Sequence, residues 1–148
     1  MRNPIPPFLL CLALTPLSYI FNGSFLAISE KAAKISALLL GSLAISLMLI
    51  AKYQFSKAHT TINPLRPENS RCLVTHGVFS FSRNPMYLGM ALLLVASAIF
   101  FRSVLGFGIA LAFVIYIDLF QIRAEERALK ERFYEAFRGY QRSVRRWL

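Results

Sequence analysis

The stretch from Ile35 to Phe55, ISALLLGSLAISLMLIAKYQF, decides the fold class of this chain. Its first charged residue is Lys52, and at a rise of about 1.5 Å per residue a helix of this length crosses a hydrocarbon layer of about 30 Å. Lys52 lies close enough to the end of the stretch to extend its ammonium group to the interface. The sequence therefore predicts a membrane-spanning helix here.

The composition of the whole chain agrees with a membrane protein. Of its 148 residues 56% are hydrophobic, and yet its formal net charge is +10. Most of the basic residues lie between or after the apolar stretches, as in membrane proteins with basic loops. A protein that binds nucleic acid would instead place bases and aromatic residues along one face of a soluble fold, so we expect no nucleic-acid partner.

Three further apolar stretches accompany the first: Ile5–Ile28, Tyr87–Phe101 and Val104–Leu119. Only Arg102 and Ser103 separate the last two, which predicts an antiparallel helical hairpin. A signal peptide is the competing interpretation of the first stretch, but no small-x-small cleavage pattern follows it, so we favour an uncleaved helix kinked at Pro16. We expect an all-α integral membrane protein, with about four transmembrane helices in a single domain over residues 1–148.

The distribution of basic residues predicts the orientation of these helices. With four spans, the N-terminus, the loop of residues 56–82 and the C-terminal tail share one side of the membrane. That side holds most of the bases, whereas the other side holds only Lys31, Lys34 and Arg102. By the positive-inside rule, the loop and the tail face the cytoplasm, as in a multi-pass protein of a bacterial inner membrane.

After the last span the pattern changes to that of an amphipathic helix. Apolar residues recur at three- and four-residue spacing from Ile122 to Tyr140, and Glu125 lies on the same stripe. Glu126 lies about 100° further round the helix. We therefore expect Glu126 to face mostly outward, with Lys130 as its exposed partner four residues on.

Glu125 is the acid that most needs a partner, because a carboxylate on an apolar face must be paired or bind something. An ion pair with Arg83 or Arg123 would fasten the tail to the loop and would be purely structural. Ligand binding is the alternative, since acids with perturbed surroundings at the edge of a span are typical of functional sites. The helical pattern leaves both interpretations open.

A second cluster, Arg83-Asn84-Pro85-Met86-Tyr87-Leu88-Gly89, begins the third span. Pro85 fits the first turn of a helix, where its missing N–H costs little, and it keeps Asn84 extended. Arg83 and Asn84 thus present a cation and an amide at a helix N-terminus, a place suited to an anionic group. Taken alone, the cluster also fits a basic anchor followed by an ordinary helix start.

The cysteine and histidine residues predict neither a disulfide nor a metal site. Cys11 and Cys72 have no CxxC spacing and no companion ligands, and Cys11 lies within an apolar run. His59 and His76 are isolated, which favours interfacial or loop positions over metal ligation. We therefore expect no bound metal.

The polar clusters and the sequence around them resemble the isoprenylcysteine carboxyl methyltransferases and their short bacterial relatives. The resemblance covers roughly residues 58–148, and the first two spans match the family only in their apolar character. The segments that carry it, in chain order, are Thr60-Thr61-Ile62-Asn63-Pro64, Leu73-Val74-Thr75-His76-Gly77-Val78-Phe79, the Arg83–Gly89 cluster, and Glu125-Glu126 with Leu129, Phe133 and Tyr140. The resemblance implies a membrane methyltransferase that uses S-adenosylmethionine.

The resemblance also implies which residues form the site. The residues implied to contact the cofactor are Leu73, Val74, Phe79, Asn84, Pro85, Met86, Tyr87 and Glu125. Arg83, Glu125 and Glu126 are the candidates for catalytic roles, the two acids as the base that an amine acceptor requires. Gln121 stands where eukaryotic members place an Arg near the substrate carboxylate. Tyr134 replaces a usual Gly, which favours a tail helix that continues there without a bend.

The predicted function is methyl transfer to a lipid-like or isoprenylcysteine-type carboxylate. Such an acceptor is already ionised, so the protein has chiefly to align it with the donor methyl group and desolvate it. A phospholipid N-methyltransferase, a sterol-reductase-like oxidoreductase and a non-catalytic protein whose basic tail binds anionic lipid remain as alternatives. The reductase would need a dinucleotide site, and the chain has no Gly-rich phosphate loop. We expect the acceptor to enter between the helices from the lipid.

Overall fold

A computed structural model describes residues 6–20, 28–58 and 72–148 of the chain. The helices in chain order are α1 (Pro7–Leu14), α2 (Leu17–Ile20), α3 (Glu30–Lys57), α4 (Pro85–Phe100), α5 (Val104–Tyr116), α6 (Arg123–Arg132) and α7 (Tyr134–Ser143). A 3₁₀ turn at Gly77–Ser80 precedes α4, and a π-helical segment at Ile117–Ile122, here called the π segment, joins α5 to α6. The described residues contain no strand, which confirms the all-α class.

Two helices are long and apolar enough to cross a membrane. They are α3 and the continuous helix Val104–Arg132, which comprises α5, the π segment and α6. Two shorter apolar helices, Pro7–Ile20 and Pro85–Phe100, accompany them. Large apolar side chains of α3 face away from the rest of the molecule, among them Leu38 with 74% of its surface exposed. Apolar side chains exposed on the outside of a long helix are typical of a protein surrounded by lipid. The fold is therefore that of a helical membrane protein, as expected.

The first apolar stretch is broken at Thr15-Pro16. Helix α1 ends at Leu14 and α2 begins at Leu17, since Pro16 has no N–H to continue the helical hydrogen bonds. The predicted kink at Pro16 is confirmed. Residues 1–5, 21–27 and 59–71 lie outside the described residues, and with them the full extent of the first span, His59 and the Thr60–Pro64 segment.

Small residues allow α3 and α4 to pack closely. The buried residues of α3 are Ala33, Ala37, Ala44 and Ala51. Gly89 of α4 approaches α3 so closely that a Cβ there would lie 2.4 Å from Met48 Cγ and 3.0 Å from the Ala44 carbonyl oxygen. Helices in membranes commonly associate through such residues, because small side chains permit close backbone approach.

Helices α4 and α5 form the predicted antiparallel hairpin. Arg102 in the connection has a φ of 52°, and Ser103 caps α5 by accepting a hydrogen bond from Gly106 N at 3.1 Å. A Cβ on Gly106 would lie 2.7 Å from Ala98 Cβ, so the two helices touch directly after the turn. The short connection inferred from the sequence is therefore confirmed, although it comprises three residues, Phe101, Arg102 and Ser103, because α4 ends at Phe100.

The tail is two helices, and the expectation that it continues unbent at Tyr134 is wrong. Phe133 has φ −125° and ψ 38°, outside the helical region, and α7 starts at the next residue. The break turns α7 so that Phe137 and Tyr140 join a buried cluster that contains Phe79. Burial of aromatic side chains stabilises the bend, since each removes a large apolar area from water.

Candidate active site

A cavity of about 260 Å³ lies where α4, α6, α7 and the segment before the 3₁₀ turn meet. All the candidate residues from the sequence line it: Leu73, Val74, Phe79, Arg83, Asn84, Pro85, Met86, Tyr87, Glu125 and Glu126. Three segments that are far apart in the sequence thus share one cavity. The contacts of these residues with a ligand stay predictions.

Glu125 lies in the first turn of α6 and faces the cavity. Its Oε1 accepts hydrogen bonds from Tyr87 Oη at 2.5 Å and from Gln121 Nε2 at 2.7 Å. Its Oε2 accepts no hydrogen bond from the described residues. Glu125 therefore has one oxygen bound by the phenol of Tyr87 and the amide of Gln121, and a second oxygen that neither of these groups contacts.

The purely structural interpretation of Glu125 required an ion pair with Arg83 or Arg123. Arg83 instead binds Glu126 at 2.8 Å, and Arg123 lies 3.9 Å from Asp118. Within the described parts of the chain, Glu125 has no cationic partner. Both of its hydrogen-bond donors, a phenol and an amide, are neutral, so no positive charge among these contacts would offset that of an ionised Glu125.

Glu126 is turned inward, and the expectation that it faces outward beside Lys130 is wrong. Its side chain is 13% exposed and forms ion pairs with Arg83 at 2.8 Å and with Arg146 at 2.7 Å. A helical wheel places Glu126 off the apolar stripe, but it does not include the chain segments that fold over α6. Two guanidinium groups from those segments converge on the carboxylate, and charge-assisted hydrogen bonds of this kind are strong.

Arg83 connects the start of α4 to the tail. Its Nη2 donates to Glu126, while its Nη1 donates to the carbonyl oxygens of Gln141 at 3.2 Å and Val144 at 2.8 Å. Only 11% of the side chain is exposed. Because these acceptors occupy both terminal nitrogens, the structure gives Arg83 an anchoring role, and a catalytic role for it stays a prediction.

The last residues fold over the Ser82-Arg83-Asn84 turn as a C-terminal strap of residues 141–147. Arg83 N donates to Arg145 O at 3.1 Å, and Asn84 Nδ2 donates to Arg146 O at 3.0 Å. The Asn84 side chain makes no capping hydrogen bond to α4. Its amide therefore holds the C-terminal strap, while the residue still lines the cavity.

Side chains also fasten the C-terminal strap to the π segment. Arg146 Nη1 donates to both oxygens of Asp118, at 3.2 Å and 3.1 Å, and Trp147 Nε1 donates to Asp118 Oδ1 at 3.2 Å. A side-chain hydrogen bond with Glu126 raises the pKa of Arg146, so this cation persists at any physiological pH. Arg146 thus bridges two acids on successive parts of the last long helix.

Aromatic residues form the apolar part of the wall. Phe55 and Phe79 meet edge to face, with ring centroids 4.8 Å apart. Tyr140 Oη donates to Phe79 O at 2.6 Å, and burial raises the pKa of Tyr140 to about 12, so the phenol keeps its proton. This hydrogen bond fixes α7 against the 3₁₀ turn, and both of its residues line the cavity.

Sequence reasoning missed several contributions to the cavity, among them the lining residues Phe55, Cys72, Met90 and Phe137. Pro6, Pro7 and Phe8 reach it from the start of α1, and the C-terminal strap braces it from outside. The residues of α1 belong to a uniformly apolar stretch, which gives no sign of the side that faces a site. The bases of the C-terminal strap resemble those of any basic tail, so only the folded chain distinguishes Arg146.

Comparison with known proteins identifies a family. The family model described as phospholipid methyltransferase matches residues 32–136. The match begins within α3 and ends within α7, so it reaches further towards the N-terminus than the resemblance over residues 58–148 and leaves out the C-terminal strap.

A protein of Haemophilus influenzae, described as uncharacterized, is similar to part of this chain. It is 36% identical over 63 residues, which are 43% of this chain and 100% of that relative. No solved structure matches the chain significantly. Because the family match covers more than half of the chain, including both polar clusters at the cavity, the protein belongs to the phospholipid methyltransferase family and is a membrane methyltransferase.

Proposed function

We propose that this protein transfers a methyl group from S-adenosylmethionine to a lipid-like acceptor. The observation that carries the proposal is Glu125, an acid without a cationic partner among the described residues, on the wall of an otherwise mostly apolar cavity. A cation beside a carboxylate in apolar surroundings is attracted to it more strongly than in water, because less solvent screens the two charges. The family of the chain and its resemblance to the isoprenylcysteine enzymes support the same donor.

The residues present fit this donor. S-adenosylmethionine, when bound, supplies an electrophilic methyl group and carries sulfonium and ammonium cations. Glu125 would bind one of these cations, while Val74 and Phe79 would cover the apolar faces of the donor and exclude water. In-line transfer forms a bond from the acceptor atom to the methyl carbon as the carbon–sulfur bond breaks, and the electron pair of that bond goes to sulfur. The protein would therefore act chiefly by alignment and desolvation.

The acceptor that the resemblance favours is a lipid-like or isoprenylcysteine-type carboxylate. Exposed apolar side chains surround the helices, and α1 brings apolar residues to the cavity, which supports an acceptor that arrives from the lipid. We also place residues 56–82 and the tail on the cytoplasmic side of a bacterial inner membrane, following the excess of basic residues there.

A second candidate is N-methylation of a phospholipid amine. The terminal nitrogens of Arg83 bind Glu126 and the tail, so a carboxylate acceptor would find only the buried Nε of this residue without a hydrogen-bond partner among the described residues. In this reaction Glu125 would act as the base for the proton that the amine loses, instead of binding a cation of the donor. The description of the family supports this candidate as well.

The test is a transfer assay with the protein in lipid nanodiscs and S-adenosylmethionine labelled in its methyl group. The acceptors are phosphatidylethanolamine, an S-prenylated N-acetylcysteine and a total bacterial lipid extract. Alkali releases volatile methanol from a methyl ester but leaves an N-methyl group in the lipid, so the product distinguishes the two acceptors. We expect transfer to one of them, and a purified protein that binds no S-adenosylmethionine would refute the proposed function.

A further inference from the structure

Gln121 is buried in the π segment, with 2% of its surface exposed, one turn before Glu125. Its amide nitrogen and the hydroxyl of Tyr87 donate to the same oxygen, Oε1 of Glu125. Two donors from different helices fix the rotation of the carboxylate. Oε2 has no donor among the described residues, and Glu125 lines the cavity.

The π segment carries both Asp118 and Gln121, whose side chains bind different partners. A π turn inserts an extra residue, which rotates the helix after it by about 100° relative to the helix before it. Asp118 binds Arg146 and Trp147 of the C-terminal strap, whereas Gln121 binds Glu125. π-helical turns inside long helices are frequent at functional sites, although they store unfavourable backbone geometry.

We propose that Gln121 is a positioning residue, which with Tyr87 holds Glu125 so that Oε2 receives a cationic group of the methyl donor. Gln121 is not among the residues that line the cavity, so the role proposed for it is exerted through Glu125. The inference rests on the proposed function, because it takes S-adenosylmethionine as the ligand.

Two variants test the role of the amide. Gln121→Met keeps the volume and removes the donor, and Gln121→Asn keeps an amide but shortens the side chain by one methylene group. We expect either variant to raise the dissociation constant for S-adenosylmethionine about tenfold. This is the effect of losing one hydrogen bond to a charged group. Leu119→Met, in the same π segment but 42% exposed, is the matched control and should bind as the wild type does.

A double-mutant cycle separates positioning from a general structural role. In a Glu125→Gln background no carboxylate remains to be held, so Gln121→Met should change the dissociation constant less than twofold. A residue that only stabilised the fold would lower the unfolding temperature in both backgrounds and leave donor affinity unchanged. Equal effects of Gln121→Met in the two backgrounds would overturn the inference.

Infrared spectroscopy without any ligand distinguishes a failure of this inference from a failure of the proposed function. The difference spectrum between wild type and Glu125→Gln isolates the carboxylate band of Glu125, and Gln121→Met should shift that band. An unshifted band would overturn the positioning role whatever the ligand. A shifted band in a protein that binds no S-adenosylmethionine would support the positioning of Glu125 and refute the proposed donor.

Discussion

Arg83 and Glu126 form an ion pair of 2.8 Å whose side chains are only 11% and 13% exposed. Arg83 ends the loop before α4, and Glu126 lies 43 residues later in the first turn of α6. Arg146 binds the other carboxylate oxygen of Glu126 at 2.7 Å. One acid therefore joins the loop, α6 and the C-terminal strap around the cavity.

Removal of that acid should destabilise the protein. We expect Glu126→Gln to lower the free energy of unfolding by about 3 kcal/mol, since it leaves the largely buried Arg83 without its anion. Denaturant unfolding in detergent micelles measures the change. Glu135→Gln, on the exposed face of α7, is the control and should change little. Equal stability of the two variants would show that the ion pair contributes nothing.

Glu125→Gln should reduce binding of S-adenosylmethionine at least tenfold while the fold is retained. The substitution removes the charge, and a cation bound beside a carboxylate in apolar surroundings depends on that charge. Calorimetry with the purified protein measures the affinity. Glu131→Gln changes an exposed acid of the same helix and should have no effect. If both variants bind as tightly as the wild type, Glu125 is not the donor-binding acid.

The single tryptophan of the chain, Trp147, reports on the C-terminal strap. We expect Asp118→Asn to weaken its contacts with Arg146 and Trp147, so that the tryptophan emission shifts to the red and a soluble quencher reaches it more easily. Arg142→Gln, at an exposed position within the C-terminal strap itself, should leave the emission unchanged. An unaltered spectrum in Asp118→Asn would mean that the C-terminal strap is held by its backbone contacts alone.

Gly89→Ala should push α3 and α4 slightly apart and lower the stability of the protein. The added Cβ would lie 2.4 Å from Met48 Cγ and 3.0 Å from a backbone oxygen, and overpacking of this kind costs about 1–3 kcal/mol. Gly108→Ala in α5 is the matched control, because nothing lies within 4 Å of its Cβ position. We expect that control to be neutral or to stabilise the helix by about 0.5–1 kcal/mol. Thermal unfolding of both variants in micelles provides the comparison.

The sequence contains most of the information about the helices and little about the bends between them. Apolar length predicts α3, which extends past Ile35 to Glu30 because Ser29 caps its first turn. The π segment and the break at Phe133 could not be predicted, since local propensity favours a continuous helix at both. They arise from contacts of Asp118 and Phe137 with distant parts of the chain.

The candidate site was predictable where helical periodicity or a motif points to it. The apolar stripe correctly turns Glu125 inward, and Pro85 correctly begins α4. The stripe fails for Glu126, because a helical wheel describes one helix and the partners of this acid come from two other segments. From the sequence, Gln121 stands out only as a departure from the pattern of the isoprenylcysteine enzymes, and its hydrogen bond to Glu125 is seen only in the folded chain.

The C-terminal strap meets the loop before α4 largely through main-chain oxygens, those of Gln141, Val144, Arg145 and Arg146. Carbonyl groups are present whatever the side chain. Substitutions at Gln141 and Arg145 are therefore expected to be tolerated, whereas an insertion or deletion would shift every acceptor out of register with its donor. In the C-terminal strap, the number of residues between the main-chain acceptors is therefore constrained more strongly than the identity of their side chains.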